Sequence, residues 1–172
     1  ASVLSRNNLK RGLLLFAAGL AISLVTYIYD PALTVRFGVL SLLGSSAIIF
    51  HFTKKGLFRL PAWSTLVAFS LLAALTWSIR FHNFDVEHLW MFGFTNYYFT
   101  SADYFPLFPY LFIFLAGTSL GRYVADGSMP TWFYSFKCRF FEAAGRRSFL
   151  IYVIHQPVLI ALTMLIDKII GG

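Results

Sequence analysis

Apolar runs about as long as a bilayer core is thick, closed by charges or prolines, recur along this chain and leave few folds open to it. Residues 12–29 carry no charge between Arg11 and Asp30, and residues 61–79 carry none between Arg59 and Arg80. Residues 148–166 repeat the pattern between Arg147 and Asp167, with His155 near the middle. A membrane-crossing helix needs roughly 20 mainly apolar residues. Lipid offers no partner to a backbone N–H or C=O, so helices that satisfy themselves are the natural solution. Only 12% of the 172 residues are charged and 58% are hydrophobic, whereas a soluble domain carries about 25% charged residues. The expected fold class is therefore all-α, a polytopic transmembrane bundle forming a single integral membrane domain over 1–172.

Five spans are predicted, over 12–29, 35–52, 61–79, 107–124 and 148–166. Asp30-Pro31 ends the first, Lys54-Lys55-Gly56 ends the second, and Pro61 opens the third, where a missing N–H costs nothing. If Ala1 lies on the cytoplasmic side, that side collects Arg6, Lys10, Arg11, Lys54, Lys55, Arg59, Arg122, Lys137, Arg139, Arg146 and Arg147. The far side collects only Arg36, Arg80 and Lys168. This asymmetry predicts a cytoplasmic N-terminus and an outer C-terminus. The net charge of +7 thus reads as orientation, and no nucleic-acid module fits. One cysteine, Cys138, excludes an intramolecular disulfide and a multi-cysteine metal site. The first span begins abruptly after a basic segment, so further chain is expected before residue 1.

Two connections are long. Residues 80–106 are rich in Phe, Trp and Tyr, which places them on or in the membrane interface. Residues 126–147 mix aromatics with Lys137 and Arg139. They read either as a short interfacial helix or as a basic cytoplasmic loop.

An ionisable group at mid-membrane depth is a candidate functional residue. His155 shares a helix face with Ser148, Tyr152 and Thr163, with Gln156 beside it, and Pro157 frees the Val153 carbonyl. Two readings stand: a substrate or proton site at a broken turn, or a buried imidazole bonded to a neighbouring helix with Pro157 as a kink. Arg36 and Arg80 at the edges of spans either snorkel to headgroups, pair with Asp30, Asp85 or Asp103, or hold an anionic substrate. Asp103, at the mouth of the fourth span, is the better outer-site candidate. His82, Asp85, Glu87 and His88 match no standard metal spacing, and no metal is expected. Arg122, Lys137, Arg139, Arg146 and Arg147 form a cationic surface that either orients the chain or binds phosphates. Gly38, Ser41, Gly44 and Ser45, and the Gly117–Gly121 pair, read as helix-packing residues.

Three segments in this order resemble a bacterial family of membrane acyltransferases similar to heparan-alpha-glucosaminide N-acetyltransferase. They are Val35-Arg36-Phe37-Gly38-Val39-Leu40; Asp103-Tyr104-Phe105-Pro106-Leu107-Phe108-Pro109-Tyr110 leading to Gly121-Arg122; and Gly145-Arg146-Arg147 running on to His155-Gln156-Pro157. The resemblance covers the chain from about Arg11 onwards. It implies a multi-pass enzyme of the bacterial inner membrane that moves an acyl group, usually acetyl, from cytosolic acyl-CoA to a carbohydrate acceptor on the far side. On that reading His155, Tyr152 and Asp103 are catalytic candidates, and Arg36, Arg80 and Gln156 bind acceptor. Arg122, Lys137, Arg139, Arg146 and Arg147 hold the CoA phosphates. The expected partners are the lipid bilayer, the acceptor, and either a second copy or preceding spans. Family members usually begin with further spans bearing an aspartate–arginine–glycine signature and a histidine. Ser41 stands where many relatives are expected to carry a histidine. The competing reading is a transporter or flippase component for an anionic glycan or lipid precursor.

Overall fold

A computed structural model describes residues 7–29, 31, 34–82, 84, 86, 88–131, 133, 147, 154, 162 and 166, with Arg80 described by its backbone alone. The chain divides into two compact units, 1–128 and 129–172. In the first, four helices account for most of the chain: α1 (Asn8–Tyr29), α2 (Val39–Leu57), α3 (Ala62–Thr76) and α4 (Leu107–Ala125). Short 3₁₀ turns cover Trp77–Phe81 and Trp90–Phe92. The described residues contain no strand, only one parallel bridge between Phe37 and Tyr104.

Asn8–Tyr29, Ala62–Ile79 and Leu107–Ala125 are each long and apolar enough to cross a membrane. Few residues of α1 or α3 are buried, as suits helices whose outer faces meet lipid. α2 differs because Ser41, Ser45, Ser46, His51, Lys54 and Lys55 dilute its apolar character. It is also the most enclosed helix, with Leu40, Ser41, Leu42, Gly44, Ser46, Ala47 and Phe50 buried. A helix walled by protein can carry small polar residues that a lipid-facing helix cannot.

The helices pack as α1 on α2, α2 on α4, and α4 on α3. α2 and α4 run in the same direction. The bridge joins the segments that lead into them, and Arg122 near the end of α4 reaches the Leu57 carbonyl at the end of α2. The α1–α2 seam is made by glycine. A Cβ placed on Gly44 would lie 2.7 Å from Phe16 Cα, and one on Gly19 would lie 2.8 Å from the Ser41 nitrogen. The two backbones touch, so the small-residue reading of Ser41 and Gly44 holds. Gly117 in α4 has nothing within 4 Å of such a Cβ. The expected close packing there is absent among the described residues.

The core is built from Phe37, Leu42, Phe50, Leu107, Leu111 and Leu115, with Trp90, Met91, Tyr104 and Phe105 packed against it. The aromatic connection between α3 and α4 thus lies on the bundle. Gly93, at φ 107°, permits its turn, and a Cβ there would lie 3.1 Å from the Phe108 carbonyl oxygen. In the second unit, Arg147, Ile154, Leu162 and Ile166 are helical and exposed. The predicted fifth span and the interfacial segment 134–146 otherwise lie outside the described residues.

Candidate functional site

Val35 to Gly38 were expected to open the second span, but they are extended rather than helical. They run beside the segment leading into α4. The Phe105 N–H donates to the Phe37 carbonyl at 2.8 Å, and the Ala102 N–H donates to the Thr34 carbonyl at 3.3 Å. Ser101 Oγ accepts from the Arg36 N–H at 3.1 Å and lies 2.8 Å from the Asp103 carbonyl oxygen. α1 joins the same cluster, because Thr26 Oγ1 accepts from the Val35 N–H at 3.1 Å.

This lattice positions Asp103. A Cβ built on Gly38 would lie 2.7 Å from Asp103 Oδ2, so the carboxylate rests against the glycine that precedes α2. The first turn of α2 has no acidic residue of its own. Asp103 supplies negative charge beside that positive helix end from a distant part of the chain. Arg36, one turn of extended chain away, is exposed. Its guanidinium lies 5.5 Å from the Phe99 ring centroid, a cation–π arrangement. The structure therefore brings Arg36 and Asp103 to one lip and leaves the arginine head accessible.

Tyr104 anchors the lip. Its hydroxyl donates to the Trp90 carbonyl, and its ring lies 4.7 Å from that of Phe99. Burial raises its pKa to about 12, because a phenolate there would lose solvation. The group remains a protonated donor near neutral pH. From the sequence, Tyr104 stood beside Asp103 in the segment at the mouth of the fourth span, with no role of its own.

At the other end of the same helix pair, Arg122 donates to the Leu57 carbonyl at 3.2 Å and to the Leu60 carbonyl at 3.0 Å. Its guanidinium also lies 5.0 Å from the Phe58 ring centroid. It adds a side-chain donor to the Leu57 carbonyl, which also accepts the Leu60 N–H, and to the Leu60 carbonyl in the turn after α2. Lys54 and Lys55 in the last turn of α2 add charge there. The 19 residues of α2 separate the two ends by about 28 Å, close to the thickness of a hydrocarbon core.

Two polar atoms on α2 have no hydrogen-bond partner among the described residues, Ser46 Oγ and His51 Nδ1, and both are buried. They went unnoticed in the sequence because they sit inside an apolar run. Ser41 is 2% exposed and abuts Gly19, so a histidine ring at 41 would have to occupy the space of α1. Among the described residues, no group of three or more His, Cys, Asp or Glu side chains is placed to hold a metal. His155, Tyr152, Gln156, Lys137, Arg139 and Arg146 lie outside the described residues. Only the backbone of Arg80 is described, in the 3₁₀ turn after α3.

The family model for heparan-alpha-glucosaminide N-acetyltransferase, catalytic, matches residues 1–157. The chain belongs to this membrane acetyltransferase family. The match includes both ends of the α2–α4 pair and reaches the Ser148–Pro157 segment. No curated protein and no solved structure matches the chain. In this chain the lip at Asp103 and the basic end at Arg122 are two polar regions on opposite ends of one helix pair.

Proposed function

We propose that the protein transfers an acetyl group from cytosolic acetyl-CoA to a carbohydrate acceptor on the far side of the membrane. The family match over residues 1–157 carries this reading. Supporting it, the α2–α4 pair has an aromatic, carboxylate-bearing lip at one end and a basic end about 28 Å away. In this proposal the chain crosses five times, with a cytoplasmic N-terminus. Lys137, Arg139, Arg146 and Arg147 hold the CoA phosphates. Arg122 adds charge at that end, with two of its N–H groups already given to backbone carbonyls. Arg36, Arg80 and Gln156 bind the acceptor, and Asp103 orients it by accepting a hydrogen bond from a hydroxyl or amine.

His155, assisted by Tyr152, removes the acceptor proton. The acceptor oxygen or nitrogen bonds to the acetyl carbonyl carbon, the thioester C–S bond breaks, and the proton passes to the departing CoA thiolate. The test is the purified protein reconstituted with labelled acetyl-CoA and a glucosamine-bearing glycan. The expected result is loss of acetyl-CoA matched by acetylated glycan. His155→Ala should abolish that turnover while the protein stays folded in the membrane. Normal turnover in the variant would return His155 to a packing role. Glycan movement without acetyl-CoA consumption would overturn the enzyme reading.

A further inference from the structure

A groove of about 350 Å³ opens beside the α2–α3 turn, lined by Leu57, Leu60, Ser64, Thr65, Ala68 and Phe69. Two of these residues carry hydroxyls, yet the walls are apolar. Ser64 Oγ donates to the Pro61 carbonyl at 2.9 Å, and Thr65 Oγ1 to the Ala62 carbonyl at 3.0 Å. Arg122 takes up the Leu57 and Leu60 carbonyls. The backbone and hydroxyl groups around the groove are thus largely satisfied internally. A pantetheine arm, whose amides need hydrogen-bond partners, finds little here, whereas a hydrocarbon chain loses nothing.

Cations surround the same turn. Lys54, Lys55 and Arg59 fall within six residues of one another. Lys55 and Arg59 are exposed. Among the described residues none of the three makes an ion pair. Three cations in and beside the turn that borders an apolar groove fit an amphiphile with an anionic head and a hydrocarbon tail. From Ser64 to Phe69 the wall runs about 7–8 Å along α3, so a tail enters from the headgroup level toward the bilayer core.

We infer that this groove is a binding site for an anionic glycerophospholipid of the leaflet that the basic turn faces, with one acyl chain along α3 and the phosphate among Lys54, Lys55 and Arg59. The inference does not rest on acetyl transfer, although its cations lie at the same basic end as Arg122.

The test uses the full chain purified in detergent, exposed to equal amounts of phosphatidylglycerol and phosphatidylcholine, with retained lipid read by native mass spectrometry. Phosphatidylglycerol should be retained about tenfold over phosphatidylcholine, as expected for a site with several cations. K54Q/K55Q/R59Q should remove that preference. Ala68→Phe, at an exposed position, should fill the groove and lower retention with the cations intact, and circular dichroism should show unchanged helix in both variants. Equal retention of the two lipids, or full retention by Ala68→Phe, would overturn the site. Displacement of phosphatidylglycerol by CoA alone would also overturn it, by assigning the cations to a soluble phosphate. Failure of any arm leaves acetyl transfer untouched, because the readout contains no turnover.

Discussion

At the aromatic end of the α2–α4 pair the backbone makes the tie. The Phe37–Tyr104 bridge and the Phe105 and Ala102 N–H bonds hold two leading segments together, with the Ser101 hydroxyl bonding the backbone of Thr34 and Arg36 beside them. At the basic end a side chain makes it, Arg122 reaching two carbonyls more than sixty residues away in sequence. The difference bears on what each end can do. Backbone pairing leaves Arg36 and Asp103 at the lip while fixing their positions to the chain beneath them. A side-chain tie commits Arg122 itself, whereas Lys54, Lys55 and Arg59 make no ion pair among the described residues.

The sharpest way to break the aromatic end is Gly38→Ala. The new methyl group would meet Asp103 Oδ2 at 2.7 Å and Val35 Cγ1 at 2.9 Å. The carboxylate is the tip of a side chain and can swing away, so the fold should lose less than the about 1–3 kcal/mol that overpacking a rigid wall costs. With Asp103 in its proposed role of orienting the acceptor, its displacement is expected to lower acetyl transfer by about 10²-fold. Steady-state kinetics and a thermal melt, taken together, decide the matter. Wild-type kcat/KM in Gly38→Ala would remove Asp103 from the site. A collapse in melting temperature would make the contact structural.

At the basic end, Arg122→Gln removes two charge-assisted bonds from a partly exposed guanidinium. With solvent screening discounted, a loss of about 1–2 kcal/mol is expected. Arg122→Lys keeps the charge but lacks the fork that reaches both carbonyls. Both variants should therefore melt earlier, whereas acetyl-CoA affinity should fall only slightly. A variant that melts normally but binds acetyl-CoA poorly would reverse the assignment and make this end resemble an open phosphate site.

The same contrast explains what was legible from residues alone. α1, α3 and α4 follow the predicted spans closely, because Asp30-Pro31, Pro61 and Pro106 sit at their ends and the runs between are apolar. α2 was displaced. Val35 and Phe37 are apolar and Arg36 suits the edge of a span, but the segment pairs with the lead of α4, and that pairing leaves no mark on hydropathy. The helix then continues past Phe52 to Leu57, where Lys54 and Lys55 suit its negative end. Asp103 was legible as an outer candidate. Its seat against Gly38 was not, since sixty-five residues separate them. Ser46 and His51 were missed because apolar neighbours hide single polar atoms whose partners, or lack of them, only packing reveals.

Tyr104 provides the mildest test of the aromatic end. Tyr104→Phe keeps the ring against Phe99 and removes only the hydroxyl, leaving the Trp90 carbonyl without that partner. A loss of about 1 kcal/mol is expected near neutral pH. The pH profile gives a second and independent signature. Tyr104 lies outside the spanning segments, and burial raises its pKa to about 12 from an ordinary 10. A raised folded-state pKa means that the folded chain holds its proton after the unfolded chain has released it. The associated stability is fully present below pH 10 and is lost as pH rises through 10 toward about 12. The wild-type protein should weaken across that window, and one phenol should titrate late in the ultraviolet spectrum. In Tyr104→Phe both the late phenol and its share of the slope should vanish. Persistence of the late phenol would place it on another tyrosine and show the lip at Trp90 to be wetter than its packing implies.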